Sequence, residues 1–283
     1  MRKKEDQNPE LAKLERKLET AEEYAGNAAH ELKSPLASMK VLADALLEQE
    51  SVPEETYREF LRDISSQIDR ETRVIDDLLQ LALLGRQNDG DEKQSVLLDD
   101  IVKQVENNIS QAAIQKNISL HLNCQEHCHM YGSRQYLYDI ILNLMENAVK
   151  YNVPDGKIFL DIKKKNGLLG IRVRDTGIGI GKHTGNDIFK RFYRENKEYS
   201  REQGGTGLGL AICKEATEKM GGTIKIKSEE GIGSTFIIRI LFKLVSAPDT
   251  VKKTAAQMDI SGLNLLLVED NELNAEIAKT LLS

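Results

Sequence analysis

The sequence predicts an α plus α/β protein, in which an antiparallel helical hairpin forms a dimeric four-helix bundle and an α/β sandwich follows it. Three observations support this fold class. An apolar residue stands at every a position of a heptad from Leu11 to Leu46, and a second apolar stripe runs from Tyr57 to Ala82. Beyond residue 95, short alternating strands are interleaved with amphipathic helices. The chain of 283 residues has room for about two domains.

Composition and charge exclude several classes of protein. The net charge of −6 disfavours nucleic acid as a principal partner, because binding to its backbone depends on clustered Lys and Arg. No apolar run reaches the ~18 residues of a membrane span, so we expect no membrane contact by this segment. Three cysteines and an amino terminus without an apolar stretch favour a reducing, cytoplasmic setting. A parent protein anchored through a sensor region outside this chain is compatible with that setting.

Two long helices are expected first. The a positions of the first helix are all apolar, and such a seam needs other helices to cover it. Ser51-Val-Pro53-Glu54 has the form of a capping box and begins the second helix, which Gly85 ends. Two antiparallel helices enclose a core less well than four, so we predict a homodimer. The a positions are Leu11, Leu18, Ala25, Leu32, Met39 and Leu46.

The second half of the chain is predicted to place helices over a mixed sheet. Residues 1–90 are expected to form the coiled-coil lead-in and the hairpin, with a polar hinge at Arg86–Gln94. Residues 91–245 form the sandwich, residues 246–261 a linker, and residues 262–283 the start of a further domain. The predicted elements are helices near Asp99–Lys116, Ser133–Tyr151 and Thr206–Met220, and strands near Ile118–Asn123, Lys157–Lys163, Leu168–Arg174, Thr223–Lys227 and Thr235–Phe242.

Four short segments carry residues suited to chemistry. They are Ala-Ala-His30-Glu31-Leu-Lys-Ser34-Pro35-Leu, Asn143-Leu-Met-Glu-Asn147-Ala-Val-Lys150-Tyr151, Asp175-Thr-Gly177-Ile-Gly179-Ile and Gly204-Gly205-Thr206-Gly207-Leu208-Gly209-Leu.

The first two segments suggest a nucleophile and a ligand site. His30 falls at the solvent-facing f position, where a surface histidine without a functional role is the usual interpretation. An acid follows it, however, and a nucleophilic imidazole needs such a base. One helix face carries Asn143, Asn147 and Lys150. This face either binds a polar ligand or is simply exposed to solvent.

The other two segments suggest the remaining walls of that site. Asp175 follows a strand, so its carboxylate projects at the sheet edge, although Asp-Thr-Gly is also a common turn. The glycines Gly205, Gly207 and Gly209 open a helix whose free N–H groups can cradle phosphate. Such a triplet is a weak signal by itself.

In this order the segments resemble the sensor histidine kinases of two-component systems, over roughly residues 10–243. The resemblance implies a dimerisation and phosphoacceptor hairpin followed by an ATP-binding catalytic domain of the GHKL (Bergerat) type. It implies a protein histidine kinase that uses ATP and Mg²⁺, autophosphorylates His30 and passes the phosphoryl group to an aspartate of a response-regulator receiver domain. Residues 262–283 resemble the start of such a receiver, with the acidic pair Glu269-Asp270, so a hybrid kinase is expected.

The resemblance also assigns roles to residues. Catalytic roles go to His30, to Glu31 as its base, to Ser34 where phosphatases carry Thr or Asn, and to Asn143. Asn147 is the implied Mg²⁺ ligand, Asp175 the acceptor of the adenine amine, Arg194 a γ-phosphate contact, and Glu195–Gly204 a mobile lid. The implied nucleotide-binding residues are Asn147, Lys150, Tyr151, Asp175, Gly177, Gly179, Arg194, Gly205, Thr206, Gly207, Leu208 and Gly209.

Two other function classes stay open. A degenerate dimer that binds ATP and acts as a signalling interaction module would keep the fold without the chemistry. A hydrolytic ATPase is disfavoured, because related ATPases carry a water-activating Glu where Asn143 stands.

A cluster of histidines and cysteines invites a metal interpretation. The spacing is Cys-x-x-x-Cys-His, and no second ligand pair occurs elsewhere in the chain. An ordinary strand-turn-strand is the preferred interpretation over a zinc site. The cluster comprises His121, Cys124, His127, Cys128 and His129.

Overall fold

The structure, a computed structural model, begins with helices. It describes residues 26, 28–29, 32–33, 35–48, 53–85, 93–125, 128–181, 184–195 and 205–241. Helix α1 is described at residues 35–47, and helix α2 spans Glu54–Gly85. Glu54 and Glu55 place negative charge in the first turn of α2, where the helix dipole favours it. Within the described residues, no helix is long and apolar enough to cross a membrane.

The rest of the described chain is an α/β sandwich. Its elements are β1 (Gln94–Leu97), α3 (Leu98–Gln115), β2 (Ser119–Cys124), β3 (His129–Gly132), α4 (Arg134–Lys150), β4 (Lys157–Lys165), β5 (Leu168–Asp175), a 3-10 helix (Gly185–Phe189), α5 (Gly209–Lys219), β6 (Gly222–Glu229) and β7 (Gly233–Leu241).

Five strands form one mixed sheet in the order β2-β4-β5-β7-β6. Strand β2 runs parallel to β4, and the other neighbours are antiparallel. Strands β1 and β3 pair as a separate antiparallel ribbon, with Leu97 opposite His129. Because α3 begins directly after β1, this ribbon fixes where α3 starts.

The core lies between one face of the sheet and helices α3, α4 and α5. Alternation along the strands turns every second side chain inward, and on β4 these are Ile158, Leu160 and Ile162, all buried. Each fully buried aliphatic side chain contributes about 1.5–3 kcal/mol. The helices supply fully buried partners that include Ile101, Leu137, Ile140, Ile141, Leu144 and Ile212.

The predicted fold class is confirmed, a helical region followed by helices over a mixed sheet. The ribbon of β1 and β3 was not predicted, because each strand has only four residues and shows no clear alternation. Gln94, predicted as hinge, begins β1, and residues 86–92 of that hinge lie outside the described residues. The lead-in, the linker and the expected receiver start at 262–283 lie outside them as well.

Candidate functional site

Helix α4 presents the predicted polar face. Ser133 caps its N-terminus by accepting a hydrogen bond from the Tyr136 N–H at 3.3 Å. Asn143, Asn147 and Lys150 are half-buried along one side of the helix. The side-chain amide of Asn147 makes no hydrogen bond to another described residue, so its oxygen is available to a ligand.

The start of α5 lies directly against this face. A Cβ atom at Gly209 would come 2.6 Å from Oδ1 of Asn143, so a larger residue at this position would require the Asn143 side chain to move. The Nδ2 group of Asn143 donates to the carbonyl of Asp139 at 2.9 Å, which fixes the amide orientation. Leu208, the N-cap of α5, offers no side-chain cap. The first N–H groups of α5 are therefore open to an anion.

Asp175 ends β5 and is buried. Its Oδ1 accepts two backbone hydrogen bonds, from Gly177 at 2.9 Å and from Ser234 at 3.1 Å. Both of these bonds reach Oδ1, which leaves Oδ2 as the oxygen that can accept from a ligand. Burial raises the pKa of Asp175, and the backbone N–H groups of Gly177, Ser234 and Asp175 itself oppose that rise. The carboxylate thus has one anchored oxygen and one that can accept from a ligand.

Two glycines hold the turn after Asp175 in place. A Cβ at Gly177 would lie 2.2 Å from the carbonyl oxygen of Tyr151, and that same oxygen accepts from the Ile178 N–H at 3.1 Å. Gly179 has a φ of +69°, and a Cβ there would lie 2.0 Å from the carbonyl of Glu229. The turn is therefore clamped between the end of α4 and the end of β6.

The glycine-rich turn before α5 is tied to the segment after the 3-10 helix. Nη2 of Arg194 donates to the carbonyl of Thr206 at 3.0 Å, and the Phe192 N–H donates to the carbonyl of Gly207 at 2.8 Å. The Leu208 N–H donates to the Thr206 hydroxyl at 3.2 Å. Gly207 has a φ of +75°, which favours glycine. Gly205 is half-buried beside these residues.

Lys150 lies among other cations. Burial and the guanidinium groups of Arg194, Arg73 and Arg70 lower its pKa to about 8, and the carboxylate of Glu146 acts in the opposite direction. Its Nζ lies 5.3 Å from the centre of the Tyr151 ring. A polyphosphate bound here would meet a concentrated positive charge.

Contacts join most of the predicted nucleotide-binding residues, from Asn147 to Gly209, where α4, the turn after β5 and the start of α5 meet, and we term this region the cleft. His30, Glu31 and Ser34 lie outside the described residues, as does the predicted lid beyond Glu195. Glu195 itself accepts from the Gly181 N–H at 2.9 Å and from the Thr184 hydroxyl at 2.7 Å.

Two family models match the chain. Residues 20–87 match the His Kinase A (phospho-acceptor) domain, and residues 132–244 match the histidine kinase-, DNA gyrase B- and HSP90-like ATPase. The chain belongs to the sensor histidine kinases. Its two matched segments follow the order in which the sequence motifs occur.

Curated relatives are similar to this chain over most of its length. Sensor histidine kinase RppB of Synechocystis is 34% identical over 220 residues, which are 77% of this chain and 48% of RppB. Sensor-like histidine kinase SenX3 of Mycolicibacterium smegmatis is 34% identical over 235 residues, covering 83% of this chain and 60% of SenX3. The chain thus spans about half to three fifths of the length of these relatives.

Solved structures share its fold. Acinetobacter baumannii histidine kinase AdeS matches with a TM-score of 0.63 at 20% identity, covering 76% of this chain and 98% of AdeS. Full-length ShkA in complex with AMPPNP matches with a TM-score of 0.58 at 27% identity, covering 80% of this chain and 47% of ShkA. ThkA in complex with the response regulator protein TrrA matches with a TM-score of 0.65 at 20% identity, covering 84% of this chain and 68% of the ThkA chain.

Helix α2 also contacts the cleft, and the sequence patterns did not predict this contact. The Thr206 hydroxyl hydrogen-bonds the carboxylate of Asp77, whose pKa is raised chiefly by burial. Nε2 of Gln80 donates to Oδ2 of Asp139 on α4. A signal was available, because α2 has apolar residues on a further face: Val74, Leu81 and Leu84 are buried, while Ile75, which lies within the range of the predicted stripe from Tyr57 to Ala82, is exposed.

The described part of the histidine and cysteine cluster lies on two strands and the residues beside them. Its members lie on and between β2 and β3, which belong to different sheets, and His127 lies outside the described residues. His121 stacks on Phe159, with ring centres 4.7 Å apart. Among the described residues, no three His, Cys, Asp or Glu side chains are arranged to hold a metal ion. Burial raises the pKa of Cys124 to about 12 and also raises the pKa of Cys128.

Proposed function

We propose that this chain is an ATP-dependent histidine kinase that phosphorylates His30 and passes the phosphoryl group to an aspartate of a receiver domain. The observation that carries the proposal is the cleft itself. A buried acid with one open oxygen, Asp175, stands at one side, and the cationic Lys150 with the open N-terminus of α5 stands at the other. ShkA, which shares this fold, was solved in complex with AMPPNP, an ATP analogue, and that complex supports a nucleotide as the ligand.

Asp175, with Gly177 and Gly179, forms what we term the adenine end of the cleft. Oδ2 of Asp175 would accept a hydrogen bond from the exocyclic amine of adenine. Guanine carries a carbonyl at that position, and an acceptor facing an acceptor is repelled, so the site selects ATP over GTP.

Lys150, Arg194 and the turn from Gly205 to Gly209 form what we term the phosphate end. Lys150 and Arg194 supply positive charge, Tyr151 lies beside Lys150, and the N–H groups at the start of α5 can bind phosphate oxygens. Thr206 and Leu208 keep the turn in shape through their own hydrogen bond.

Asn147 fits an Mg²⁺ ion. Its amide oxygen is a hard donor without a hydrogen bond from another described residue, and Mg²⁺ is commonly held by one or two protein oxygens, phosphate oxygens and waters. When bound, the ion neutralises charge on the phosphates. Asn143 places an amide, and no carboxylate, beside α5, so the cleft lacks a base at this position to activate water. Transfer to a protein nucleophile is favoured over hydrolysis.

In the proposed reaction an imidazole nitrogen of His30 attacks the γ-phosphorus. The new N–P bond forms as the bond to the β,γ-bridging oxygen breaks, ADP leaves, and Glu31 takes the imidazole proton. The phosphoryl group then moves to an aspartate of a receiver domain. ThkA, a similar structure, was solved in complex with a response regulator protein, which supports such a partner.

A second copy of the chain is the proposed cover for α2. Large apolar side chains are exposed on this helix at Ile68, Ile75, Leu79 and Leu83, with 47% to 62% of each accessible. Such a stripe on a monomer needs a partner, and a homodimeric four-helix bundle supplies it.

Labelling with γ-labelled ATP and Mg²⁺ tests the proposal. Acid-labile, alkali-stable label is expected on the wild type, and it should vanish in His30→Gln and Asn147→Ala. The matched control is His121→Gln, which removes a histidine outside the cleft and should retain label. ATP binding without label in the wild type would favour the interaction-module alternative. Phosphate release that survives loss of His30 would favour a hydrolytic ATPase.

A further inference from the structure

The outer face of the five-stranded sheet is exposed to solvent. Helices cover the opposite face, where residues such as Leu160 and Val173 are buried. On the outer face, side chains line up in rows that cross the strands. One row runs from His121 through Phe159, Arg174 and Thr235 to Lys227.

Two parallel rows follow the first at a spacing of about 7 Å along the strands. Asn123, Asp161, Arg172, Ile237 and Lys225 form one of them. Lys163, Gly170, Arg239 and Thr223 form the other. Across the three rows, lysines and arginines outnumber the acids. We call these lysines and arginines the basic face: Lys163, Arg172, Arg174, Lys225, Lys227 and Arg239, all exposed.

Little within the described chain neutralises this charge. Arg172 pairs with Asp161 at 3.0 Å, and the guanidinium of Arg174 lies 4.1 Å from the centre of the Phe159 ring. The other four members make no ion pair with a described residue. The whole chain carries a net charge of −6, so the basic face concentrates positive charge against the overall balance.

We propose that the basic face binds the surface of an anionic phospholipid membrane. The six lysines and arginines are spread over all three rows of a five-stranded sheet, so each can meet a separate headgroup. The expectation of no membrane contact rested on the lack of an apolar span, and binding at the surface needs no such span. No member of the basic face lies in the nucleotide cleft, so this binding is independent of the kinase activity.

Single-stranded nucleic acid and a partner protein fit this surface less well than a membrane does. Single-stranded nucleic acid binds sheets by stacking bases on exposed aromatic rings, but Phe159 is already stacked with His121 and contacted by Arg174. A specific protein interface needs an apolar centre and is depleted in lysine. Here the centre of the face holds Ile237, Gly170 and Thr235 with charged residues around them.

Co-sedimentation of the full chain with vesicles tests membrane binding. The vesicles contain phosphatidylcholine alone or with about one third phosphatidylglycerol, at low and high salt. The test variant is Lys225→Glu with Lys227→Glu. The matched control is Lys103→Glu with Lys214→Glu, which changes the net charge equally but on exposed positions of α3 and α5.

The expected result is salt-sensitive binding of the wild type and the control to anionic vesicles only. The Lys225 and Lys227 variant should bind at least about tenfold more weakly. No binding of the wild type, equal loss in both double variants, or unchanged binding of the test variant would each overturn the proposal. Tighter binding to a single-stranded oligonucleotide that depends on Lys225 and Lys227 would reassign the face to nucleic acid. Labelling of His30 should be the same in all variants, so failure here is distinguishable from failure of the kinase proposal.

Discussion

The two ends of the cleft are built in different ways. At the adenine end, Asp175 and Gly177 are held by backbone contacts from α4 and β7, all within the sandwich. At the phosphate end, Thr206 bonds both its own turn and Asp77 of α2, which belongs to the helical region. One end is therefore complete within the sandwich, and the other depends on a helix outside it.

Because of this difference, recognition of the base does not depend on α2, whereas the charge at the phosphate end does. Oδ1 of Asp175 is fixed whether or not α2 is in place, so base recognition should be constant. The surroundings of Lys150 include Arg70 and Arg73 from α2, so the charge that meets the phosphates changes if α2 moves. We infer that the position of α2 adjusts the phosphate end while the adenine end stays the same.

The largest expected effect comes from breaking the adenine end with Gly177→Ala. The added Cβ would lie 2.2 Å from the Tyr151 carbonyl oxygen, a backbone atom that cannot move aside cheaply. We expect the free energy of unfolding to fall by about 3 kcal/mol or more, and nucleotide binding to be lost with it. Denaturant titration measures the change in stability.

The control for this substitution is Gly231→Ala. Gly231 has a φ of +76° but open space around its missing Cβ, so only backbone strain of about 1–2 kcal/mol is expected. If both variants lowered the free energy of unfolding equally, the predicted clash between the added Cβ and the Tyr151 carbonyl would be wrong.

Asp175→Asn tests recognition without disturbing the turn. Its side-chain oxygen can still accept from Gly177 and Ser234, but the second oxygen becomes an amide donor facing the adenine amine. We expect ATP affinity to fall about tenfold to a hundredfold, measured by calorimetry. Stability at neutral pH should not fall, because burial already disfavours the charged form of Asp175. ATP affinity equal to the wild type would remove Asp175 from base recognition.

The adenine end was largely predictable from sequence, and the contact with α2 was not. Asp175, Gly177 and Gly179 are close in the chain, so the turn that they form is a local property. Asp77 and Thr206 are far apart in sequence, and nothing in the pattern around Asp77 marks it as a partner. The β1 and β3 ribbon was missed for a related reason, since Leu97 and His129 pair over a long separation. Periodicity reports which side of an element is apolar, but it does not report which distant element covers it.

The attachment of α2 to α4 can be tested through Asp139. Burial raises the pKa of Asp139 to about 6, although Gln135 and Gln80 donate to its carboxylate. Because the pKa of Asp139 is higher in the folded protein than its ordinary value near 4, the folded state holds this proton more tightly than the unfolded state does. The resulting stabilisation is fully present below pH about 4 and is lost as pH rises through 6. Asp139→Asn should therefore raise the free energy of unfolding by roughly 2 kcal/mol at pH about 7.5, and the gain should vanish towards pH about 4.

Denaturant titrations across this pH range measure the gain from Asp139→Asn. The control Asp161→Asn removes an acid that is paired with Arg172 on the outer sheet face, and it should give no such gain. A gain from Asp139→Asn that persists at low pH would show that the buried charge is not its cause.

The smallest expected effect concerns Lys150 at the phosphate end. Its pKa of about 8 in the free protein must rise when phosphates bind, because the ammonium is then paired with negative charge. ATP affinity should therefore fall by less than about tenfold as pH rises from about 7 to about 9, with proton uptake on binding near pH 8. Calorimetry in buffers of different ionisation enthalpy measures the uptake. Lys150→Arg should bind ATP without this pH dependence, since a guanidinium stays charged throughout. If the variant keeps the wild-type pH profile, another group titrates, and the cations from α2 do not adjust the phosphate end through Lys150.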